Sequence, residues 1–175
     1  MNILATLGRP DPLIHYTNRP TVKVVIKKGT DILILNNGLL PGGGVDHGES
    51  DSDAIFRELQ EELGVTVKDL NAVGTVIQYR NFLNKKYSIN GYTAILDFLG
   101  GPTDPQDAGE AQFTQRWLSI EDALEYVSKS IAEAELRPMN NDTHQGKLYN
   151  LITTRELLRH QKISGDRHNN EFRHC

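Results

Sequence analysis

Three glutamates in the run Arg57-Glu58-Leu59-Gln60-Glu61-Glu62 have the residue type and the spacing of a metal-binding site. Glu58 lies three positions before Glu61 and four before Glu62. On an α-helix, side chains at these spacings project from neighbouring turns on one side. Carboxylate oxygens suit hard divalent cations, and the only cysteine, Cys175, is distant in sequence, which disfavours zinc. The run therefore predicts a site for Mg²⁺, with Mn²⁺ as the alternative.

The simplest alternative is an acidic helix face that is exposed to water. Like charges three or four residues apart destabilise a helix by roughly 0.2–0.5 kcal/mol per pair. Residues 50–63 contain no lysine, and Arg57 is their only cation. Because a bound cation would convert this repulsion into coordination, the pattern favours the metal site.

Residues 50–63 are predicted to form the helix that positions the acids. Ser50 and Asp53 have the spacing of a capping box, and Gly64 is typical of the residue that follows the end of a helix. An apolar face beside the acids should anchor the helix to a core, and its members are Ile55, Phe56, Leu59 and Leu63. We expect the carboxylates to lie along the edge of that packing contact.

A glycine-rich turn, Pro41-Gly42-Gly43-Gly44, precedes the acidic helix. Glycines allow the backbone to approach a phosphate closely. The turn lacks the Gly-Lys-Ser/Thr of a P-loop and the Gly-x-Gly-x-x-Gly of a dinucleotide site. The turn alone is a weak signal, but together with the acids it predicts a cation site beside a phosphate-binding backbone.

The turn and the helix together match a known pattern. Gly43 is followed by five residues and Glu49, and seven further residues lead to Arg57-Glu58-Leu59-Gln60-Glu61-Glu62-Leu63-Gly64-Val65. This segment resembles a complete Nudix box. The resemblance implies a hydrolase that acts on a nucleoside diphosphate linked to another moiety. It also implies an α/β/α sandwich with a mixed β-sheet between helices.

The resemblance assigns roles to individual residues of the box. The implied metal ligands are the carboxylates of Glu58, Glu61 and Glu62 and the backbone carbonyl of Gly42. The implied task of Arg57 is to hold neighbouring carboxylates in place, with Glu49 as a partner. The alternative for Arg57 is an ordinary surface ion pair, which contributes little by itself.

The sequence leaves open which carboxylate is the general base. Glu58 and Glu61 are the candidates within the box. By resemblance, the base can also lie on a later loop, where Asp104, Asp107 and Glu110 occur. We prefer Glu110 among these three, and its alternative role is that of a solvated loop acid.

The substrate class follows from charge and from the resemblance. The chain has a net charge of −4, so an anionic pyrophosphate substrate requires bridging cations, and activity should depend on them with an alkaline optimum. The backbone at Gly43 and Gly44 is expected to meet phosphates, Tyr79 to stack on a base and Arg80 to meet a distal phosphate. Each of these has an ordinary structural role as its alternative. Nucleoside triphosphates and nucleotide sugars are the leading substrates.

Two other functions on the same fold are weighed against the hydrolase. A nucleotide-binding Nudix module without catalysis often loses box glutamates, whereas this chain keeps them all. An isomerase acting on an allylic diphosphate needs a cysteine in the core of the fold, whereas the cysteine here is the last residue. The hydrolase is therefore the leading prediction and the module the alternative.

Composition places the chain among globular proteins. It has 175 residues, 38% of them hydrophobic and 24% charged, and its pI near 5.8 argues against a nucleic-acid-binding surface. No apolar run reaches the roughly 18 residues of a membrane span, and no basic segment precedes the apolar N-terminal residues as in a signal peptide. The single cysteine favours a cytoplasmic location.

The remaining elements are predicted from periodicity and turn residues. Residues 1–163 should form one domain, with an irregular segment at 1–20 that adds an edge strand or a homodimer contact, and residues 164–175 a disordered polar tail. The predicted strands are residues 21–26, 31–35, 73–79, 92–98 and 111–118. Two further helices are expected, one from a cap at Ser119 towards Ala134 and one over residues 147–160.

Overall fold

The structure, a computed structural model, describes residues 1–101, 103 and 114–171, with side chains described to residue 161. Its strands are β1 (Ile3–Leu7), β2 (Thr17–Lys28), β3 (Asp31–Leu35), β4 (Val65–Arg80), β5 (Lys85–Leu99) and β6 (Gln115–Ser119). Its helices are α1 (Asp51–Leu63), α2 (Ile120–Glu135) and α3 (Asp142–Glu171), with a 3-10 turn at Asn81–Leu83.

The six strands form one mixed sheet in the order β1-β4-β5-β2-β3-β6. Strand β1 pairs in parallel with β4, and β2 pairs in parallel with β5. The other neighbouring pairs are antiparallel. The predicted mixed sheet between helices is therefore confirmed.

Side-chain alternation along β2 gives the sheet its two apolar faces. Val22, Val24 and Ile26 pack in one cluster with the apolar face of α1. Val25 belongs to a second cluster that contains residues of α2 and α3. Because successive side chains of a strand point to opposite faces, one strand supports both halves of the sandwich.

Helix α1 has the caps that the sequence predicts. The Ser50 hydroxyl accepts a hydrogen bond from the Asp53 backbone N–H, and Gly64 ends the helix in the left-handed conformation with φ +61°. The predicted apolar face is wrong at Phe56, which is 46% exposed. Ile55, Leu59 and Leu63, four residues apart, fill the contact with the sheet. Phe56 lies about 100° further around the helix than Ile55, so its side chain lies outside this contact.

The first turn of α1 is also fixed to the sheet by Asp51. Its carboxylate accepts hydrogen bonds from the Tyr92 hydroxyl, at 2.7 Å, and from the Asn90 amide, at 2.8 Å. Burial is the main reason why the pKa of the Tyr92 hydroxyl lies above its ordinary value, and the hydrogen bond to Asp51 raises it further. The Thr75 hydroxyl in turn donates to the side-chain Oδ1 of Asn90, so the network spans α1, β5 and β4.

The central hairpin is longer than the sequence predicts. Strands β4 and β5 begin at Val65 and Lys85, well before the predicted residues 73 and 92. Register irregularities between Lys68 and Asn71 interrupt the apolar alternation of β4, which hides the strand from a periodicity argument. The polar start of β5 is stabilised by pairing with both neighbouring strands.

The N-terminal segment supplies an edge strand, one of the two roles considered for it. Residues 1–20 contain β1 and the first residues of β2, so the segment is less irregular than predicted. Pairing with β4 and β5 fixes these residues, and such non-local pairing leaves little trace in local sequence.

Helix α2 begins at the predicted cap, where the Ser119 hydroxyl accepts from the Asp122 backbone N–H. Helix α3 begins earlier than predicted, at Asp142, and its backbone continues to Glu171. The disordered tail at 164–175 stays a prediction, and residues 172–175 lie outside the described residues. Among the helices of the described chain, none has a length and apolarity sufficient to cross a membrane.

We expect Tyr92→Phe to lower the free energy of unfolding by about 1–3 kcal/mol, because it removes a hydrogen bond to the charged Asp51. Tyr126→Phe is the matched control, since it removes an exposed hydrogen bond to the neutral Asn36 carbonyl. Urea denaturation of both variants measures the difference. Equal losses would contradict the role of Asp51 in fixing α1.

Candidate active site

The glycine turn runs beside β2 and extends the sheet. The backbone N–H groups of Val22 and Val24 donate to the carbonyls of Gly43 and Pro41, at 2.9 and 3.1 Å. Thr21 and Gly44 form an isolated antiparallel bridge in the same region. These bonds fix one edge of the turn to the sheet, while its other side faces the acidic helix.

Two glycines of the turn are required by the space around them. Gly42 has φ +114°, and a Cβ there would lie 2.5 Å from the Val22 carbonyl oxygen. A Cβ on Gly43 would overlap the carboxylate of Glu58. The glycines therefore allow the turn to approach both the sheet and the carboxylates more closely than other residues could.

Arg57 connects the parts of the site. Its Nε and Nη2 donate to the two carboxylate oxygens of Glu49, both at 2.9 Å. Its Nη1 donates to Glu58 at 2.9 Å and to Glu61 at 3.3 Å. Its Nη2 also donates to the Gly44 carbonyl at 2.9 Å. One guanidinium thus links the helix, the turn and the loop between them, and the predicted Arg57–Glu49 pair is present.

The pKa values of these groups reflect the same contacts. The hydrogen bond with Arg57 lowers the pKa of Glu49 to about 2. The hydrogen bond with Glu49 raises the pKa of Arg57 above its ordinary value. Burial raises the pKa of Glu58, although Arg57 and Lys23 act in the opposite direction. A charged Glu58 therefore needs neighbouring positive charge.

The backbone of Gly42 lies between a carboxylate and an ammonium group. Its N–H donates to the Glu62 carboxylate at 3.0 Å, and its carbonyl accepts from the Lys23 ammonium. The carbonyl that the resemblance assigns to a metal ion therefore already contacts a positive charge. A carbonyl oxygen has two lone pairs, so this contact leaves a second acceptor position.

The donors at this site fit a hard divalent cation. Glu58, Glu61, Glu62 and the Gly42 carbonyl offer oxygen ligands only, which Mg²⁺ and Mn²⁺ accept. Within the part of the chain that the structure describes, no three acidic, histidine or cysteine side chains already surround one point. Arg57 bonds to one oxygen of Glu58 and one of Glu61, which leaves the second oxygen of each carboxylate as a candidate ligand.

Two adjoining cavities meet at the glycine turn. One, which we name the acidic cavity, measures about 450 Å³ and is lined by Arg19, residues 42–44, Asp46, Arg57, Glu58, Glu61 and Glu62. The other, the polar cavity, measures about 270 Å³ and lies towards α3. Its polar lining is Arg19, Thr21, Lys23, residues 42–44, Arg80, Tyr87, Asn150, Thr153 and Thr154, and the apolar Leu39 and Ile89 complete it. Arg19 and the turn are common to both.

Three of the four residues predicted to bind the substrate line a cavity, and the fourth, Tyr79, does not. Gly43, Gly44 and Arg80 line the polar cavity, and Arg80 is held by Asp142 through a 2.9 Å hydrogen bond from Nε. Tyr79 lines neither cavity and packs edge-on against Tyr16, with ring centroids 5.3 Å apart. The candidate bases Asp104, Asp107 and Glu110 lie outside the described residues.

A family model described as the NUDIX domain matches residues 17–139, which cover β2 to α2, the glycine turn and the acidic cavity, whereas the α3 residues of the polar cavity lie beyond the match. The chain belongs to the NUDIX family. The resemblance of residues 43–65 to the family box is thereby confirmed.

The chain also resembles two curated proteins and a solved structure. The chain is 54% identical over 35 residues to an RNA pyrophosphohydrolase of Vibrio cholerae, a match covering 20% of each chain. It is 32% identical over 77 residues to an RNA pyrophosphohydrolase of Ruthia magnifica, covering 41% of this chain and 43% of the relative. The chain thus spans less than half the length of these curated relatives. A NUDIX hydrolase of Nitrosomonas europaea, 21% identical, shares the fold with a TM-score of 0.51 over 75% of this chain and 91% of that one.

Sequence reasoning missed several residues of this NUDIX site. Arg19 and Lys23 come from β2, where polar residues alternate with apolar ones from position 19 onward. That alternation is the local signal for both residues: the predicted strand at residues 21–26 contains Lys23 and excludes Arg19. Asn150, Thr153 and Thr154 reach the cavity from α3, and only the packing of α3 on the sheet brings them there.

We expect Gly43→Ala to weaken Mn²⁺ binding with little loss of stability, because the added methyl group displaces the carboxylate of Glu58 and no backbone atom. Gly42→Ala should instead lower the free energy of unfolding by about 1–3 kcal/mol, because its φ and the nearby Val22 carbonyl strain the backbone. Electron paramagnetic resonance of Mn²⁺ and urea denaturation separate the two effects. Equal destabilisation with unchanged Mn²⁺ affinity would contradict this arrangement.

Acid should destabilise the protein partly through Glu49. Its pKa is about 2 in the folded state against an ordinary 4.5, so its contribution is present above pH 4.5 and is lost as the pH falls towards 2. We expect the free energy of unfolding to fall less steeply across this window in Glu49→Gln, which cannot be protonated there. Denaturation at several pH values measures the slopes, with Glu133→Gln on an exposed position of α2 as the control. The hypothesis is wrong if Glu49→Gln keeps the full slope.

Proposed function

We propose that the protein is a divalent-cation-dependent hydrolase that cleaves the pyrophosphate linkage of a nucleoside diphosphate joined to another moiety. Nucleoside triphosphates and nucleotide sugars are the proposed substrates. The observation that carries the proposal is the junction of the two cavities at residues 42–44. A carboxylate-lined cavity on one side and a cation-lined and amide-lined cavity on the other suit the two ends of such a substrate.

The acidic cavity would hold the metal ion. Glu58, Glu61, Glu62 and the Gly42 carbonyl are the proposed ligands, for Mg²⁺ or alternatively Mn²⁺. When bound, the ion neutralises charge on the phosphate oxygens and lowers the pKa of a water molecule.

The proposed reaction is the attack of water on one phosphorus atom of the linkage. The new P–O bond forms as the bridging P–O bond breaks, the leaving phosphate keeps the electron pair, and a carboxylate takes the proton of the water. Glu58 and Glu61 are candidates for this base because Arg57 fixes both at the cavity. Glu110, outside the described residues, remains a third candidate from the sequence.

Positive side chains on β2 and β4 would bind the phosphate chain and the distal part of the substrate. Arg19 lines both cavities, and Lys23 lies on the Gly42 carbonyl at their junction. Arg80 lines the polar cavity further from the acids, with Tyr87 beneath its guanidinium at 5.0 Å. These residues offset the negative charge of α1, which would otherwise repel the substrate.

A triphosphate at the 5′ end of an RNA is a second candidate substrate. The relatives of Vibrio cholerae and Ruthia magnifica that match the chain are described as RNA pyrophosphohydrolases. The scissile linkage is the same, and only the moiety beyond the nucleoside differs. A nucleotide-binding module without catalysis remains the alternative function. Cytoplasmic location and homodimer formation stay predictions from the sequence.

Incubation with nucleoside triphosphates, nucleotide sugars and 5′-triphosphorylated RNA, with and without Mg²⁺, tests the proposal through release of the shortened nucleotide product, separated by chromatography. We expect Mg²⁺-dependent release that falls by about 10²- to 10⁴-fold in Glu61→Gln, the range for loss of acid–base catalysis. Glu133→Gln, an exposed acid of α2, should keep the activity. Tight nucleotide binding without turnover under any metal would instead support the non-catalytic module.

A further inference from the structure

Gln78 is a buried polar residue of β4 that contacts the floor of the polar cavity. Its side chain is fully buried, and its Nε2 donates to Asn150 Oδ1 at 3.2 Å and to Thr153 Oγ1 at 2.8 Å. Its Oε1 has no hydrogen-bond partner among the described residues. A buried carbonyl without a partner costs roughly 1–3 kcal/mol, so Gln78 is an expensive way to fill this space.

Gln78 determines which polar atoms α3 presents to the cavity. Because it donates to Asn150 Oδ1, the Asn150 amide has its oxygen towards β4 and its NH₂ group away from it. Because it also donates to the Thr153 hydroxyl oxygen, the O–H of Thr153 is left to act as a donor. Asn150 and Thr153 both line the polar cavity, so its floor offers hydrogen-bond donors.

The rest of the polar cavity reinforces this donor character. Arg19, Lys23 and Arg80 contribute only donors, and none of the described residues that line the cavity is acidic. A ligand group with N–H donors therefore finds only hydroxyl and backbone oxygens there. A ligand edge made of acceptors finds several donors that are already oriented.

Nucleobases differ in this property. An asparagine that reads adenine uses its oxygen for N6–H and its nitrogen for N7, but here the oxygen of Asn150 is directed to Gln78. Guanine and hypoxanthine present two acceptors, O6 and N7, on the same edge. Two neighbouring donors from one turn of α3 match that edge, whereas the amino group of adenine would face another donor.

We propose that Gln78 acts through Asn150 and Thr153 as a positioning residue that makes the polar cavity selective for 6-oxopurine nucleotides over adenine nucleotides. This inference rests on the proposed function, since it takes the polar cavity to be the nucleoside end of the substrate site. Arg80 is fixed by Asp142 and lies over Tyr87, and its donors can meet an acceptor of any base, so they do not distinguish one base from another. Selectivity therefore comes from the floor of the cavity.

Equilibrium binding of GDP, IDP and ADP by calorimetry, with Mg²⁺ present, tests the inference without requiring turnover. We expect GDP and IDP to bind at least about tenfold more tightly than ADP, the smaller end of the discrimination given by one bidentate base contact. Hydrolysis of GTP, ITP and ATP gives the parallel ratios of kcat/KM.

Two substitutions test the role of the amide groups. Asn150→Asp keeps the shape and the bond from Gln78 but replaces the NH₂ donor by an acceptor, so the guanine-to-adenine ratio should fall by about tenfold or reverse. Gln78→Met fills the same volume without orienting Asn150, and should lower the ratio while thermal unfolding shows a folded protein. Asn2→Asp, an exposed position outside both cavities, is the matched control and should leave the ratio unchanged.

The outcomes separate this inference from the proposed function. Tighter binding of GDP without hydrolysis of any nucleotide would support the selectivity and contradict the hydrolase. Equal binding and equal hydrolysis of guanine and adenine nucleotides would support the hydrolase and overturn the selectivity. A ratio unchanged by Gln78→Met and Asn150→Asp would show that other groups select the base, and no measurable binding of any nucleotide would overturn both.

Discussion

The site depends on the balance between one guanidinium and the carboxylates around it. Arg57 donates to Glu49, Glu58 and Glu61 and to the Gly44 carbonyl, so it ties the acidic helix to the glycine turn. Carboxylates at this spacing repel one another, and the repulsion grows when they are removed from water. Because burial raises the pKa of Glu58, a nearby positive charge favours its ionised form beside Glu49 and Glu61. Arg57 provides that charge in the structure, and the proposed metal ion would provide more of it.

Strand β2 makes this balance possible because it serves three parts of the molecule. Its even-numbered valines anchor α1, its odd-numbered polar residues line the polar cavity, and its backbone pairs with the glycine turn. The turn is thereby fixed at the boundary between the two faces of the sheet. A substrate that crosses this boundary would meet carboxylates on one side and positive or amide groups on the other. The position of the turn thus explains how an acidic protein can accept an anionic substrate.

Buried polar contacts orient both sides of the site. On the face of α1, Asp51 accepts from Tyr92 and Asn90 and so fixes the start of the helix that carries the glutamates. On the face of α3, Gln78 donates to Asn150 and Thr153 and so fixes which atoms face the polar cavity. The side chains around Asp51 have hydrogen-bond partners. The buried side-chain carbonyl of Gln78 has none among the described residues. Apolar packing alone would be less costly at the second place, which is why we connect it with recognition.

The sequence by itself determined the acidic helix, its caps and the glycine turn, because these residues lie close together in the chain and obey local rules of capping, periodicity and charge. The pairing of Arg57 with Glu49 was predicted from the family resemblance. It also predicted the mixed sheet, through a family pattern that occurs at fixed spacing. Only the tertiary structure decided the rest. The pairing of β1 with β4 and the polar start of β5 are fixed by non-local hydrogen bonds. Phe56 is exposed, and Tyr79 lies away from both cavities, because the direction of a side chain depends on which face of its element is covered. Arg19 and Asn150 line the same cavity, and Gln78 donates to Asn150, although the three residues belong to two strands and a helix far apart in the chain. No local pattern of residues records that arrangement.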